Sequence, residues 1–83
     1  MKMRQSHIPD FATTEFALAV TISLYFPIES ITKENPRRAS FSFKNTSQLQ
    51  QLVSQYWRGE VQVEPRQFFD QLKAVKSRLY SHP

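Results

Sequence analysis

The chain has 83 residues, no cysteine, a single glycine, and 11 Lys and Arg against 7 Asp and Glu, for a formal net charge of +4. That length allows one small domain, and 40% hydrophobic with 13% aromatic residues can supply its core, which argues against a disordered chain. The missing cysteines exclude a disulfide framework, a thiolate zinc site and a thiol nucleophile. The lone Gly59 excludes Walker-type and Rossmann-type phosphate loops.

Residues 1–12 read as a flexible N-terminal arm, because Lys2 and Arg4 lead into a polar stretch with no apolar run of the secretory type. The longest apolar stretch, Phe16 to Ile28, is broken by Thr21, Ser23 and Pro27 and is too short to span a bilayer. The expectation is a cytoplasmic protein without a membrane partner.

Residues 13–80 read as one α+β domain. Thr13-Thr14-Glu15 is a helix-start signal, with Thr13 as the cap and Glu15 beside the positive helix end. Phe16, Ala17, Ala19, Val20, Ile22 and Leu24 then make a helix apolar on more than one side, expected to be the central one and to end before Pro27. The β-branched Val20, Thr21 and Ile22 leave a strand as the minor reading.

A hairpin follows, turning at Asn35-Pro36. On its far side Ala39, Phe41 and Phe43 alternate with Ser40, Ser42 and Lys44. On its near side Ile28 and Ile31 have opposite parity, which predicts a bulge or irregular pairing.

The second helix, 47–58, has capping candidates at Asn45, Thr46 and Ser47 and an apolar stripe of Leu49, Leu52, Val53 and Tyr56. Gly59 stands where the left-handed C-terminal closure falls. Val61-Gln62-Val63 suggests a short third strand. Glu64-Pro65 opens the last helix, whose stripe is read as Phe68, Phe69, Leu72, Val75 and Leu79, extended by Tyr80. The expected order is α-β-β-α-(short β)-α, an antiparallel hairpin packed on helices, with residues 81–83 a frayed end.

Four stretches of this pattern resemble a family of short bacterial and phage proteins known only as a domain of unknown function. They are Thr13-Thr14-Glu15-Phe16-Ala17-Leu18-Ala19, Arg38-Ala39-Ser40-Phe41-Ser42-Phe43, Tyr56 through Phe68, and Leu72 through Tyr80. They cover roughly residues 11–80 and consist of caps and core positions, so the resemblance implies a fold and no chemistry.

Catalysis finds little support in the residue types present. His7 and His82 lie in the terminal segments without Cys, His or carboxylate partners at ligand spacing, so no metal site is expected. Glu15 and Glu64 are used as helix-start residues, Asp70 pairs with Lys73 by spacing, and no serine has a nucleophile-elbow setting. Glu60 and Glu64 flank a short connection and have the spacing to converge, but a domain this small has little room for a pocket between them. No catalytic residue and no cofactor is expected, and the protein is read as a non-enzyme.

Binding is the stronger reading. Residues 31–45 carry Lys33, Arg37, Arg38 and Lys44 against Glu34 alone, which leaves +3 of the total charge on the hairpin. With Lys73 and Lys76 of the last helix these residues form a candidate phosphate-contacting patch for DNA, RNA or a nucleoprotein complex. A solubilising charged surface is the plain alternative. Phe41 and Phe43 have the alternation of a base-stacking platform, although strand residues of one parity ordinarily face the core. The glutamine-rich face of helix 47–58 has side chains able to read base edges, or is simply solvated. The competing class is a protein adaptor built on Tyr56, Trp57, Arg58 and the hairpin edge, in which Trp57 acts as a hot spot rather than as a roof over the core.

Overall fold

The computed structural model describes residues 10–35 and 38–81. Its elements are β1 (Phe11–Thr13), α1 (Phe16–Ser23), β2 (Ser30–Asn35), β3 (Arg38–Phe43), α2 (Ser47–Trp57) and α3 (Pro65–Ser81). Helix α1 is short and has almost no polar face, and five consecutive residues from Leu18 to Ile22 are buried. A helix apolar all round is stable only when enclosed, and here α2 and α3 pack on it beside the sheet. Its one buried polar residue, Thr21, donates its hydroxyl to the Ala17 carbonyl at 2.8 Å, so no hydrogen-bonding group is stranded.

The chain is an α+β domain with an antiparallel three-stranded sheet in the order β1-β3-β2. Strand β3 is central. Phe41 and Phe43, on one face of it, are buried with Ile31 of β2 and with Leu49 and Val75 of the helices. Ser30, Ser42 and Ala12 lie on the other face, as the alternation requires. The bulge expected from the parity of Ile28 and Ile31 does not form, because Ile28 precedes the strand and pairing is regular from Ser30 to Lys33; a register shift falls instead between Lys33 and Asn35. Pro36 and Arg37 of the turn lie outside the described residues.

The third strand is not where the sequence suggests. Val61-Gln62-Val63 is a connection outside the sheet, and both valines are half-buried. The remaining edge of β3 is occupied instead by β1, with Phe11 opposite Phe43 and Thr13 opposite Phe41. Three residues are too few to show a period, yet Phe11 and Thr13 face inward and Ala12 outward. Two further corrections follow from this pairing. The folded region begins at Phe11, inside the expected 1–12 arm. Thr13 is a strand residue whose hydroxyl accepts the Glu15 N–H at 3.0 Å, while Glu15 holds the N-cap position of α1 without a side-chain cap bond. At the other end, α3 runs through Ser81.

The remaining boundaries agree with their capping chemistry. Thr46 caps α2, its hydroxyl accepting the Leu49 N–H at 3.1 Å. Gly59 closes α2 at φ +71°, with the Glu60 N–H bonded to the Gln55 carbonyl and the Gly59 N–H to the Tyr56 carbonyl. The Glu64 carboxylate accepts the N–H groups of Arg66 and Gln67 at the start of α3.

Candidate functional site

Helix α3 is held in a fixed roll by the residues it buries. Phe68, Leu72, Val75 and Leu79 face the core. On one flank of that stripe, Gln71 donates to the Ser23 hydroxyl at 3.0 Å and Arg78 to the Ile28 carbonyl at 3.4 Å. At 100° per residue, Phe69, Lys73, Lys76 and Tyr80 fall within about 60° of one another on the opposite flank. All four are exposed, Phe69 at 57% and Tyr80 at 71% of their surface. Of the three aromatic residues assigned to the core stripe from the sequence, Phe68 lies in it and Phe69 and Tyr80 lie outside it. Four apolar side chains already fill the space over α1, and the rings of Phe69 and Tyr80, further around the helix, are left in water.

The result is a ladder about 16 Å long in which two rings bracket two ammonium groups. The Lys73 ammonium lies 5.1 Å from the centroid of the Phe69 ring, within cation–π range. Helix α3 carries Arg66, Lys73, Lys76 and Arg78 against Asp70, the same +3 that the hairpin carries, and no acidic residue follows Asp70 in it. The positive charge thus has two addresses.

The two meet at a groove of about 280 Å³. Its floor is Phe16, Ala39, Phe41 and Leu79, with the Phe16 and Phe41 rings 5.9 Å apart, and Thr14, Lys76 and Tyr80 stand at its rim. Lys33 is the register partner of Ala39 and lies on the same sheet face, so its backbone stands next to the groove, with Arg38 immediately before Ala39. Lys33, Arg38, Lys73 and Lys76 belong to this end of the molecule. Lys44 does not: it follows Phe43 at the far end of β3, about 20 Å of strand from Arg38. Arg37 lies outside the described residues.

The aromatic platform once offered by Phe41 and Phe43 is buried at 2% and 0% exposure, so those rings serve the core. The glutamine face of α2 is exposed as expected. Trp57 is 62% exposed and does not roof the core. It sits edge-on to Tyr56 with ring centroids 5.0 Å apart. Arg58, beside it, is tied to Ser54 at 2.6 Å and to Glu60 at 3.0 Å, and the Glu60 carboxylate raises its already high pKa. Burial, and secondarily the Glu15 carboxylate, raise the pKa of the Tyr56 phenol.

Glu60 and Glu64 do not converge on a shared site, being engaged with Arg58 and with the α3 N-terminus. Among the described residues no group of three His, Asp or Glu is placed to hold a metal ion. His7 and His82 lie outside those residues. No described helix is long and apolar enough to cross a membrane.

Fold and surface together define a small α+β domain in which a basic, aromatic-studded helix packs on α1 beside a three-stranded sheet. The chain belongs to the family described as Domain of unknown function (DUF5659), whose model matches residues 10–81. No curated protein and no solved structure matches it.

Proposed function

We propose that this chain is a bacterial or phage accessory protein of the cytoplasm that binds nucleic acid, alone or within a nucleoprotein complex, and does no catalysis. The observation that carries this reading is the exposed Phe69–Lys73–Lys76–Tyr80 ladder of α3. Cations at helical spacing suit a phosphate backbone, and rings left in water beside them suit base faces. Lys33, on the groove face of the sheet, extends the surface, with Arg38 at the same strand end on the opposite face, which moves its centre from the hairpin to the junction of hairpin and α3.

Fluorescence anisotropy of labelled oligonucleotides, single- and double-stranded, at several salt concentrations tests the proposal. Affinity is expected to fall linearly with salt on logarithmic axes. A Lys73→Ala/Lys76→Ala variant is expected to flatten the slope by about 1.4 on single strands, at about 0.7 per phosphate contact. Absence of binding at low salt overturns the reading. The protein-adaptor alternative rests on the exposed Trp57, and a partner lost on Trp57→Ala, with no oligonucleotide bound, favours it.

A further inference from the structure

We infer that the groove between α3 and the hairpin end of the sheet holds one unstacked base of a single-stranded nucleic acid, an inference that rests on the nucleic-acid reading above. Three features of the groove select this occupant. Its volume of about 280 Å³ is just below the range of about 300–1,000 Å³ typical of ligand pockets, which suits one flat ring system rather than a larger molecule. Its floor is apolar, built from Phe16, Ala39, Phe41 and Leu79, so the group that fills it gains by leaving water. Among the described residues Lys76 is its one charged lining residue and no carboxylate lines it, so the occupant carries negative charge outside the ring.

A flat apolar group attached to an anion describes a nucleotide, and the ladder says that it is one of a chain. Tyr80 stands at the rim, and Lys76, Lys73 and Phe69 continue from it along the helix. A strand with its base in the groove meets Lys76 at the adjoining phosphate, then Lys73, then a second ring at Phe69. A duplex keeps its bases stacked and paired, so it offers the groove nothing and uses only the cations. Single strands are therefore preferred over duplexes of the same charge.

The test uses anisotropy titrations of the full chain with a labelled oligothymidylate, the same strand carrying abasic sites, and a duplex of equal length. Tyr80→Ala removes the rim ring, and Ala39→Met fills the groove without touching a cation. Wild type is expected to bind the abasic strand about tenfold more weakly than the intact one. Each variant is expected to lose about tenfold on the intact strand while keeping wild-type affinity for the abasic strand and the duplex, with the salt slope unaltered. Tyr80 is exposed, so Tyr80→Ala remains a valid test if Ala39→Met fails to fold by circular dichroism. Equal binding of intact and abasic strands, or intact-strand binding unmoved in Tyr80→Ala, overturns the inference while salt-dependent binding keeps the broader reading. Competition by an acidic aromatic peptide without any abasic effect overturns it in favour of a protein ligand. No binding to any oligonucleotide overturns both.

Discussion

The Lys73 ammonium lies over the Phe69 ring at 5.1 Å, one helical turn further along α3. An i, i+4 pair of this kind lets a lysine stem cover part of an aromatic ring while its charge stays in water. That explains how a large ring is tolerated on a solvent face, but not why it is there. Phe69→Ala separates the two questions. Because Phe69 is 57% exposed, the substitution is expected to change unfolding free energy by less than about 1 kcal/mol in urea titrations. It is expected to weaken single-strand binding by about tenfold. A large loss of stability with unchanged binding shows that the ring is structural.

The same residue marks the limit of what the sequence discloses. The caps of α2 and the start of α3 were legible because they depend on neighbours in the chain, Thr46 on Leu49, Gly59 on Tyr56 and Gln55, Glu64 on Gln67, whereas the cap expected at Thr13 fell to Glu15 because Thr13 is taken into β1. The central burial of α1 was legible because no face of it is polar. Which short segment would complete the sheet was not, since Val61–Val63 alternates and Phe11–Thr13 does not, and only tertiary packing gives the edge of β3 to the latter. Nor does an apolar stripe state its own width. Phe68 and Phe69 are adjacent, and the roll of α3, set by the packing of Leu72, Val75 and Leu79 with the Gln71–Ser23 and Arg78–Ile28 contacts on one flank, determines which ring is buried. The cations were found from composition. Their partition, with Lys33, Arg38, Lys73 and Lys76 at one end and Lys44 at the other, required the strand register.

Phe43 tests the opposite situation. Its side chain is fully buried on the central strand, opposite Phe11. Phe43→Ala removes a ring from a packed interior and is expected to cost about 3–5 kcal/mol. Domains have about 5–15 kcal/mol in total, and one of this length stands toward the lower end, so the variant is expected to be largely unfolded at 37 °C by circular dichroism. Phe43→Leu keeps most of the volume and is expected to remain folded. A cooperative, wild-type-like melt of Phe43→Ala contradicts the core described for this domain.

Tyr56 links stability to alkaline pH. Burial and the nearby Glu15 carboxylate raise its pKa above the ordinary phenol value. The folded state therefore holds the phenol proton more tightly than the unfolded chain does. Its contribution is intact below the unfolded pKa and is lost as pH rises through the folded one. Stability is expected to fall on raising the pH past the ordinary phenol range, and Tyr56→Phe is expected to make that fall shallower. Parallel curves for the two proteins, from urea midpoints at stepped pH, refute the linkage.

Gly59 gives the cleanest backbone test. Its φ of +71° is in the left-handed region, where an L side chain crowds the following carbonyl. A Cβ added there meets nothing within 4 Å, so no packing clash contributes to the effect. Gly59→Ala is therefore expected to destabilise by the conformational term alone, about 1–2 kcal/mol, and Gly59→Asn by less, because asparagine tolerates this conformation. The bonds from Glu60 to Gln55 and from Gly59 to Tyr56 persist only while residue 59 stays left-handed. If alanine instead drives that residue into the ordinary helical region, α2 runs on past Arg58 and the connection to α3 is redirected. In that case amide exchange at Gly59 and Glu60 rises together with the loss of stability. Wild-type stability in Gly59→Ala, with protection at both amides unchanged, refutes the assignment of this glycine as the closure of α2.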